Sequence, residues 1–354
     1  MDELQRTALY EEHVRAGARL VPFAGWEMPV QYRGVIDEVK AVREKCGVFD
    51  VSHMGQLDVQ GNGATQALNQ IVSADWQSVP VGRVAYALLL NENGGIIDDI
   101  MGYRLGEDQW RIVANASRAD VDQAHLRAYL PAEISLDNRY QNQAMPAVQG
   151  EGAEKILQPL VDADLSQMGW RDVRKWSGGL VARGGYTGCD GFEIMCDAQS
   201  GTALWRALIE SGATPCGLGA RDVLRLEAGL PLYGHELREN WTPGESGCGF
   251  AAKVEKPQFI GRSALLGKTA RNRIRGLEMQ SRAIARESYV VEKNGEAIGE
   301  VTSGGFSPTI GIGIALASLP AHLEIGDEVD VLIRGASHRA RIVKPPFVAS
   351  ERKN

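Results

Sequence analysis

Cysteine is scarce and unpatterned in this 354-residue chain. The five residues, Cys46, Cys189, Cys196, Cys216 and Cys248, are scattered and odd in number, and no C-x-x-C occurs. That disfavours both a zinc site and a disulfide framework, and it fits reduced thiols in a cytosol-like compartment. Long apolar runs are missing too: none approaches the ~18 residues a membrane span requires. The opening MDELQRTALYEEHVRAG lacks the apolar core of a signal peptide. Positive charge is in deficit, with a formal net charge of −7. This argues against a nucleic-acid partner held through its phosphates, and against an anionic membrane surface. The expectation is a soluble protein of the cytoplasm, or of the mitochondrial matrix if the chain is a mature eukaryotic one.

What is present is ordinary globular material, 44% hydrophobic and 23% charged, in a chain long enough for two or three domains. Residues 3–17 read as a short amphipathic helix. VIDEVKAVREKCG (35–47) places apolar residues at 35, 36, 39 and 42, a helix face, with Gly47 as a stop. GVFDVSHMGQLDVQG opens a run of short strands: QLDVQ, VAYALLL, IIDDIMGYRL and WRIVANA. Ser117 to Asp120 resembles a capping box ahead of DVDQAHLRAYL. A mixed segment follows, with strands PAVQG, GLVARGGY and GFEIMC and helices WRALIESG and GLGARDVLRLEAGL. Beyond LGKTARNRIRG, a basic link, the texture changes to short strands, with a hairpin signal at Asn294-Gly295. The fold class expected is α+β with an all-β tail. Its domains would be 1–50 with 140–275, then 51–139, then 276–354.

The strand IIDDIMGY carries two adjacent carboxylates in an apolar run. Period-two alternation sets Ile97, Asp99, Met101 and Tyr103 on one face and Ile96, Asp98, Ile100 and Gly102 on the other. The two acids therefore do not form one catalytic pair. They either cap turns at a sheet margin or one of them faces a site. A hairpin through NENGG would bring Tyr86 to the pair. In GGYTGCDGFEIM, Glu193 is either a solvated strand residue or an inward acceptor for paired N–H groups, with Tyr186 just ahead of it. Arg221 sits in the first turn of a helix, where a cation opposes the helix dipole. Arg225 lies on the same face, so a carboxylate or a ligand oxygen would account for both. GLGAR is not a dinucleotide fingerprint. His53 has no second His at ligand spacing and reads as a satisfied structural histidine, and no metal site is expected.

Seven collinear blocks, FAGWEMPVQY, GVFDVSHMGQ, LLLNENGGIIDDIMGY, GYTGCDGFEI, GLGARDVLRLEAGLPLYGHEL, FIGRSAL and TSGGFSPTIG, resemble the aminomethyltransferase family, the T-proteins of the glycine cleavage system. The likeness runs from Leu9 to Phe347. It implies a folate-binding region of two intertwined mixed antiparallel-sheet domains, followed by a C-terminal β-barrel. It also implies transfer of a one-carbon unit from an aminomethyl group on the lipoylated H-protein to tetrahydrofolate, with release of ammonia. Through the resemblance, Asp99 becomes the catalytic acid, and Asp98 points elsewhere into hydrogen bonds with backbone. Glu193 would accept from the pterin N–H groups. Met54, Tyr86, Tyr103 and Tyr186 would line the folate slot, Asn115 would lie near the pterin, and Arg221 would meet a folate oxygen.

The family usually shows Thr-Gly-Tyr-Thr-Gly-Glu where this chain has Gly-Gly-Tyr-Thr-Gly-Cys; Gly185 and Cys189 are read as replacing a hydroxyl and an acid. Phe250 stands where the family often has Trp. A folate-dependent demethylase is an alternative, but the chain shows no flavin fingerprint. A folate-binding iron–sulfur assembly factor is another, but Arg-Gly-Gly-Tyr-Thr-Gly-Cys lacks the Lys and Gln of that group's motif.

Overall fold

The computed structural model describes residues 4–139 and 142–352. Two large sheets and a barrel carry it, with a small antiparallel hairpin, Arg19–Phe23 and Trp26–Gln31, beside them. A five-stranded antiparallel sheet runs in the order Val84–Leu90, Ile96–Gly106, Gln109–Ala114, Gly55–Gln60, Ser135–Asn138. Helices Ala64–Ile71 and Ala119–Tyr129 cover one face, over a core that includes Leu57, Leu68, Trp76, Ile100, Trp110 and Leu126. Trp76 and Trp110 stack there at 4.7 Å between ring centroids. Gly102 makes this possible: a Cβ at that position would come within 2.4 Å of the Trp76 ring.

The second sheet follows the order Val173–Trp176, Gly179–Arg183, Gly191–Asp197, Pro146–Gln149, Gly47–Asp50, Thr214–Cys216, with Gln143–Ala144 beside Gly191–Asp197. One face packs Val48, Val148, Val181 and Ile194 with Leu204, Trp205 and Leu208 of helix Ala198–Glu210. The opposite face turns toward the first sheet. Between the two lie Phe49, Val84, Tyr103, Val113, Ala147, Ala182, Met195 and Leu224, with Met54 and Met101 partly buried against them. That shared layer is where a ligand would meet side chains from both sheets.

The tail is a closed antiparallel barrel in the order Asn272–Met279, Ile312–Pro320, Glu296–Ser307, Val290–Lys293, Glu328–Ile333, Ala336–Val343. Asn294 and Gly295 both have positive φ (56° and 81°), as a two-residue hairpin turn demands. Half of the basic link is strand, because the barrel opens at Asn272.

Several sequence expectations need correction. The N-terminal helix covers only Tyr10–Arg15; Gln5 instead bridges to Trp26, and Glu3 lies outside the described residues. No capping box forms at Ser117. The helix begins at Ala119 with Arg118 in the cap position, and no side chain caps it. The Arg118 guanidinium is engaged elsewhere, donating to the Ile97 carbonyl (2.9 Å) and to Glu239. Finally, the register between Val84–Leu90 and Ile96–Gly106 slips at Leu89/Leu90. The bulge puts Ile97 in the helix-covered core with Ile100, while Ile96 joins Leu88 and Leu90 on the other side.

Candidate functional site

The turn that opens the Asp98-Asp99 strand is built by Asn91, whose Oδ1 accepts from the backbone N–H groups of Asn93 (3.0 Å) and Gly95 (2.9 Å). The hairpin pairs Leu88 with Asp99 and Tyr86 with Met101, so Tyr86 is the diagonal neighbour of Asp99. Its hydroxyl donates to Asp99 Oδ2 at 3.2 Å. The next strand ends at Ala114, and Asn115 follows with its amide between the two acids. Nδ2 donates to Asp99 Oδ1 and to Asp98 Oδ1, both at 2.8 Å, and the Asn115 backbone N–H reaches Asp98 Oδ2 at 3.0 Å. Alternation thus separates the acids at 98 and 99, and Asn115 joins them. Asp98 is fully buried toward the helix side. Burial, and then the charge of Asp98, lift the Asp99 pKa to about 7. An acid in that condition exchanges a proton near neutral pH.

Across the layer, Glu193 faces the first sheet from Gly191–Asp197, paired between Ala147 and Ala182. Tyr103 Oη donates to its Oε2 at 3.1 Å. Burial raises the Glu193 pKa, and Arg221 opposes the rise. Arg221 enters from helix Leu218–Glu227 and lies 4.8 Å over the Tyr186 ring, and its buried Nη1 has no hydrogen-bond partner among the described residues. Tyr186 is anchored by its hydroxyl on the Pro231 carbonyl; burial raises its pKa, and the charges of Arg225, then Asp99 and Arg221, act on it. Asp99, Tyr86, Asn115, Tyr103, Met54, Glu193, Tyr186 and Arg221 therefore converge on one inter-sheet region. Arg225 does not join them. It is committed to Asp222 (2.7 Å), Glu236 (3.1 Å) and Ser303 (2.8 Å). A protein carboxylate explains Arg225, whereas Arg221 still lacks a partner for Nη1.

His53 is buried, but it is not the satisfied histidine expected: its Nδ1 has no partner among the described residues, and burial lowers its pKa to about 4. Among the described residues no group of three or more His, Cys, Asp or Glu comes together to hold a metal ion. Sequence reasoning missed Cys248, whose Sγ lies 3.8 Å from Tyr86 Oη. It also passed over Phe250 as a site residue; the ring is 66% exposed and stacks on Tyr86 at 6.0 Å. Both come from a loop after residue 240 that has no periodicity to read.

The departures have local explanations. Taken in order, the hexapeptide places the missing hydroxyl at Gly184, where a Cβ would meet nothing within 4 Å, and not at Gly185. Gly185 is required as glycine, since a Cβ would fall 2.0 Å from Gln149 Oε1. Cys189 accepts from Arg43 Nη1 at 3.1 Å, and Glu227 supplies the carboxylate for the same guanidinium at 2.8 Å.

Comparison with known proteins agrees with this architecture. Residues 9–256 match the GCVT N-terminal domain, and residues 272–349 match the glycine cleavage T-protein C-terminal barrel domain. The chain is 45% identical to an aminomethyltransferase of Desulfitobacterium hafniense over 360 residues, covering 98% of this chain and 99% of that one. It is 47% identical to an aminomethyltransferase of Symbiobacterium thermophilum, covering 99% and 98%. The crystal structure of glycine cleavage system aminomethyltransferase T from Bartonella henselae superimposes with a TM-score of 0.95 at 34% identity, covering 99% of this chain and 100% of that one. With two sheets enclosing the Asp99–Glu193 layer, a closing barrel and relatives matched end to end, the chain belongs to the aminomethyltransferase family of glycine cleavage T-proteins.

Proposed function

We propose that Asp99 is the acid–base residue of this aminomethyltransferase, and that Glu193 and Arg221 hold its one-carbon acceptor, tetrahydrofolate. The donor in this reading is the aminomethyl group on the dihydrolipoyl arm of the glycine cleavage H-protein. The pteridine, when bound, supplies the amine nitrogens that accept the carbon, giving 5,10-methylenetetrahydrofolate and ammonia. The residues fit such a group. Glu193 is a partly buried acceptor with capacity beyond its one bond from Tyr103, and Arg221 offers a buried donor, Nη1, without a partner among the described residues. A flat heterocycle with adjacent N–H groups and a carbonyl matches that pairing.

Tyr86 and Asn115 hold the Asp99 carboxyl in one orientation through Oδ2 and Oδ1. At a pKa of about 7 it gives or takes a proton at the amine as the carbon leaves sulfur. Such assistance contributes typically ~10²–10⁴-fold, and alignment of donor and acceptor adds more. Met54, Met101 and Tyr103 form the partly apolar wall that keeps water from the transferred carbon. The observation that carries the reading is the poised acid and the unpaired Arg221 donor in one layer. We place the reaction in the cytoplasm, where reducing conditions suit five buried free thiols.

The test is a titration of tetrahydrofolate by calorimetry. Glu193→Ala is expected to weaken binding by ~1–3 kcal/mol, because the pterin donors lose their acceptor. An unchanged dissociation constant removes Glu193 from the site.

A further inference from the structure

Behind Asp98 lies a third acid that the reaction does not use. Asp122 stands on helix Ala119–Tyr129, which packs on the Ile96–Gly106 strand, and its side chain is fully buried. Both of its carboxyl oxygens are cut off from solvent, and neither accepts a hydrogen bond from any N–H or O–H among the described residues. Its neighbour is the Asp98 carboxyl, within hydrogen-bonding reach. Two bare carboxylates in contact in a dry interior repel strongly, and each pays the full desolvation of its charge. A single proton between them converts the repulsion into an O–H···O hydrogen bond.

The hydrogen bonds say which acid holds that proton. Asp98 accepts from Asn115 at both oxygens, from Nδ2 at Oδ1 and from the backbone N–H at Oδ2. Each bond stabilises its anion. Asp122 accepts nothing among the described residues, and the charge of Arg118 is all that favours an anion there. Burial and the Asp98 charge both push the Asp122 pKa far up. The other charged and titratable groups facing this pair are Asp99 on the same strand as Asp98, Arg118 at the head of the helix, His125 one turn along it, and Tyr233 and Glu239 from the loop beyond helix Leu218–Glu227. Of these, Arg118 alone is cationic at neutral pH, and it is spent on the Ile97 carbonyl and Glu239.

We propose that Asp122 is a positioning residue that stays protonated through neutral pH and donates its proton to Asp98, fixing Asp98 as the anion that holds Asn115 against Asp99. The chain of contacts is Asp122 O–H to Asp98, Asp98 to Asn115 Nδ2–H, and Asn115 to Asp99 Oδ1. No covalent bond changes, and no proton passes along it, since the amide only donates. Its effect is electrostatic and geometric. One negative charge, not two, stands behind Asp99, and the Asn115 amide keeps both hydrogens directed at the two acids. This inference rests on the reading of Asp99 as the acid–base group only for its consequence in catalysis; the protonation of Asp122 stands separately.

Two isosteric variants of the full chain distinguish a proton donor from a space filler. Asp122→Asn retains an N–H donor toward Asp98, whereas Asp122→Leu fills the volume without one. Infrared spectroscopy above the Asp99 titration is expected to show the carbonyl stretch of a protonated, buried carboxylic acid in the wild type and in Asp99→Asn. Asp122→Asn removes it. In turnover, Asp122→Asn keeps kcat within about twofold and the wild-type pH profile. Asp122→Leu lowers kcat by roughly tenfold with little change in KM, and its kcat ionisation moves to lower pH, because Asp98 then protonates and no longer raises Asp99. Absence of the carbonyl band, its survival in Asp122→Asn, or equal loss of kcat in both variants with an unmoved pH profile overturns the proposal. If the band behaves as stated but the kcat ionisation persists in Asp99→Asn, the proton on Asp122 is upheld and the assignment of Asp99 falls.

Discussion

Asp99 carries its functional state in its surroundings. A partly buried carboxyl whose pKa has risen to about 7 is stabilised in its neutral form, so the folded protein binds a proton that the unfolded chain releases. The sign follows: folding stability declines as pH rises from the ordinary Asp range to about 7, and stays at the lower level above that. Replacing Asp99 by Asn removes the penalty. The variant is expected to match the wild type near pH 4 in thermal melts and to exceed it by about 4 kcal/mol at pH 8, from the size of the shift. Equal melting temperatures at both pH values would show a carboxylate that is solvated in the folded state. Tyr86→Phe is the complementary change. It removes a bond that favours the anion, so the ionisation seen in the kcat profile moves up, by a few tenths to about one pH unit. At this scale the sequence was informative about identity and silent about linkage. Alternation separated Asp98 from Asp99, and the family blocks pointed to the second of them. That Asn115 binds both acids at 2.8 Å depends on where the third strand ends, a non-local fact. Arg221 and Arg225 share one helix face, yet only their tertiary neighbours tell the partnered guanidinium from the unpartnered one.

Among the elements, the helix Ala64–Ile71 shows how a distant residue finishes what local sequence begins. Lys256 is buried and its ammonium donates to the carbonyls of Asn69 (2.6 Å), Val72 (2.9 Å) and Ala74 (2.6 Å) at the end of that helix. The Asn69 and Val72 carbonyls, at the last turn and the cap, have no following turn to pair with, and the helix dipole favours a cation there. Lys256→Met fits the volume but leaves the carbonyls unpaired. Urea unfolding should record a loss of about 2–4 kcal/mol. A loss below half a kcal/mol would mean that water replaces the ammonium without cost. Local signals served well where φ alone decides, as at Asn294-Gly295. They failed where register decides. The slip at Leu89/Leu90 moved Ile97 across the sheet.

The barrel is joined to the rest of the molecule by buried charge. Glu227, at the end of helix Leu218–Glu227, accepts from Ser307 and Thr309 of the barrel region and from Arg43 of helix Val35–Glu44. Glu236 accepts from Thr302 Oγ1 at 2.6 Å and from Arg225, which also donates to Ser303. Removing one partner strands the others without water. Glu227→Ala is expected to cost about 3–5 kcal/mol, and calorimetry should show the barrel melting apart from the two-sheet body. A single, unshifted transition would mean that apolar contact between Leu226 and Ile314 and Leu316 holds the joint unaided. The change of texture near residue 275 made the barrel legible; the joint was not, because its acids and hydroxyls are distant in sequence. The measurement that bears most directly on the whole account is ammonia release from aminomethyl-loaded lipoyl protein, with and without tetrahydrofolate, for the wild type and Asp99→Asn. The wild type is expected to release ammonia in a folate-dependent way, and the variant to lose at least about 10²-fold with folate affinity retained. Release by Asp99→Asn at the wild-type rate would contradict it.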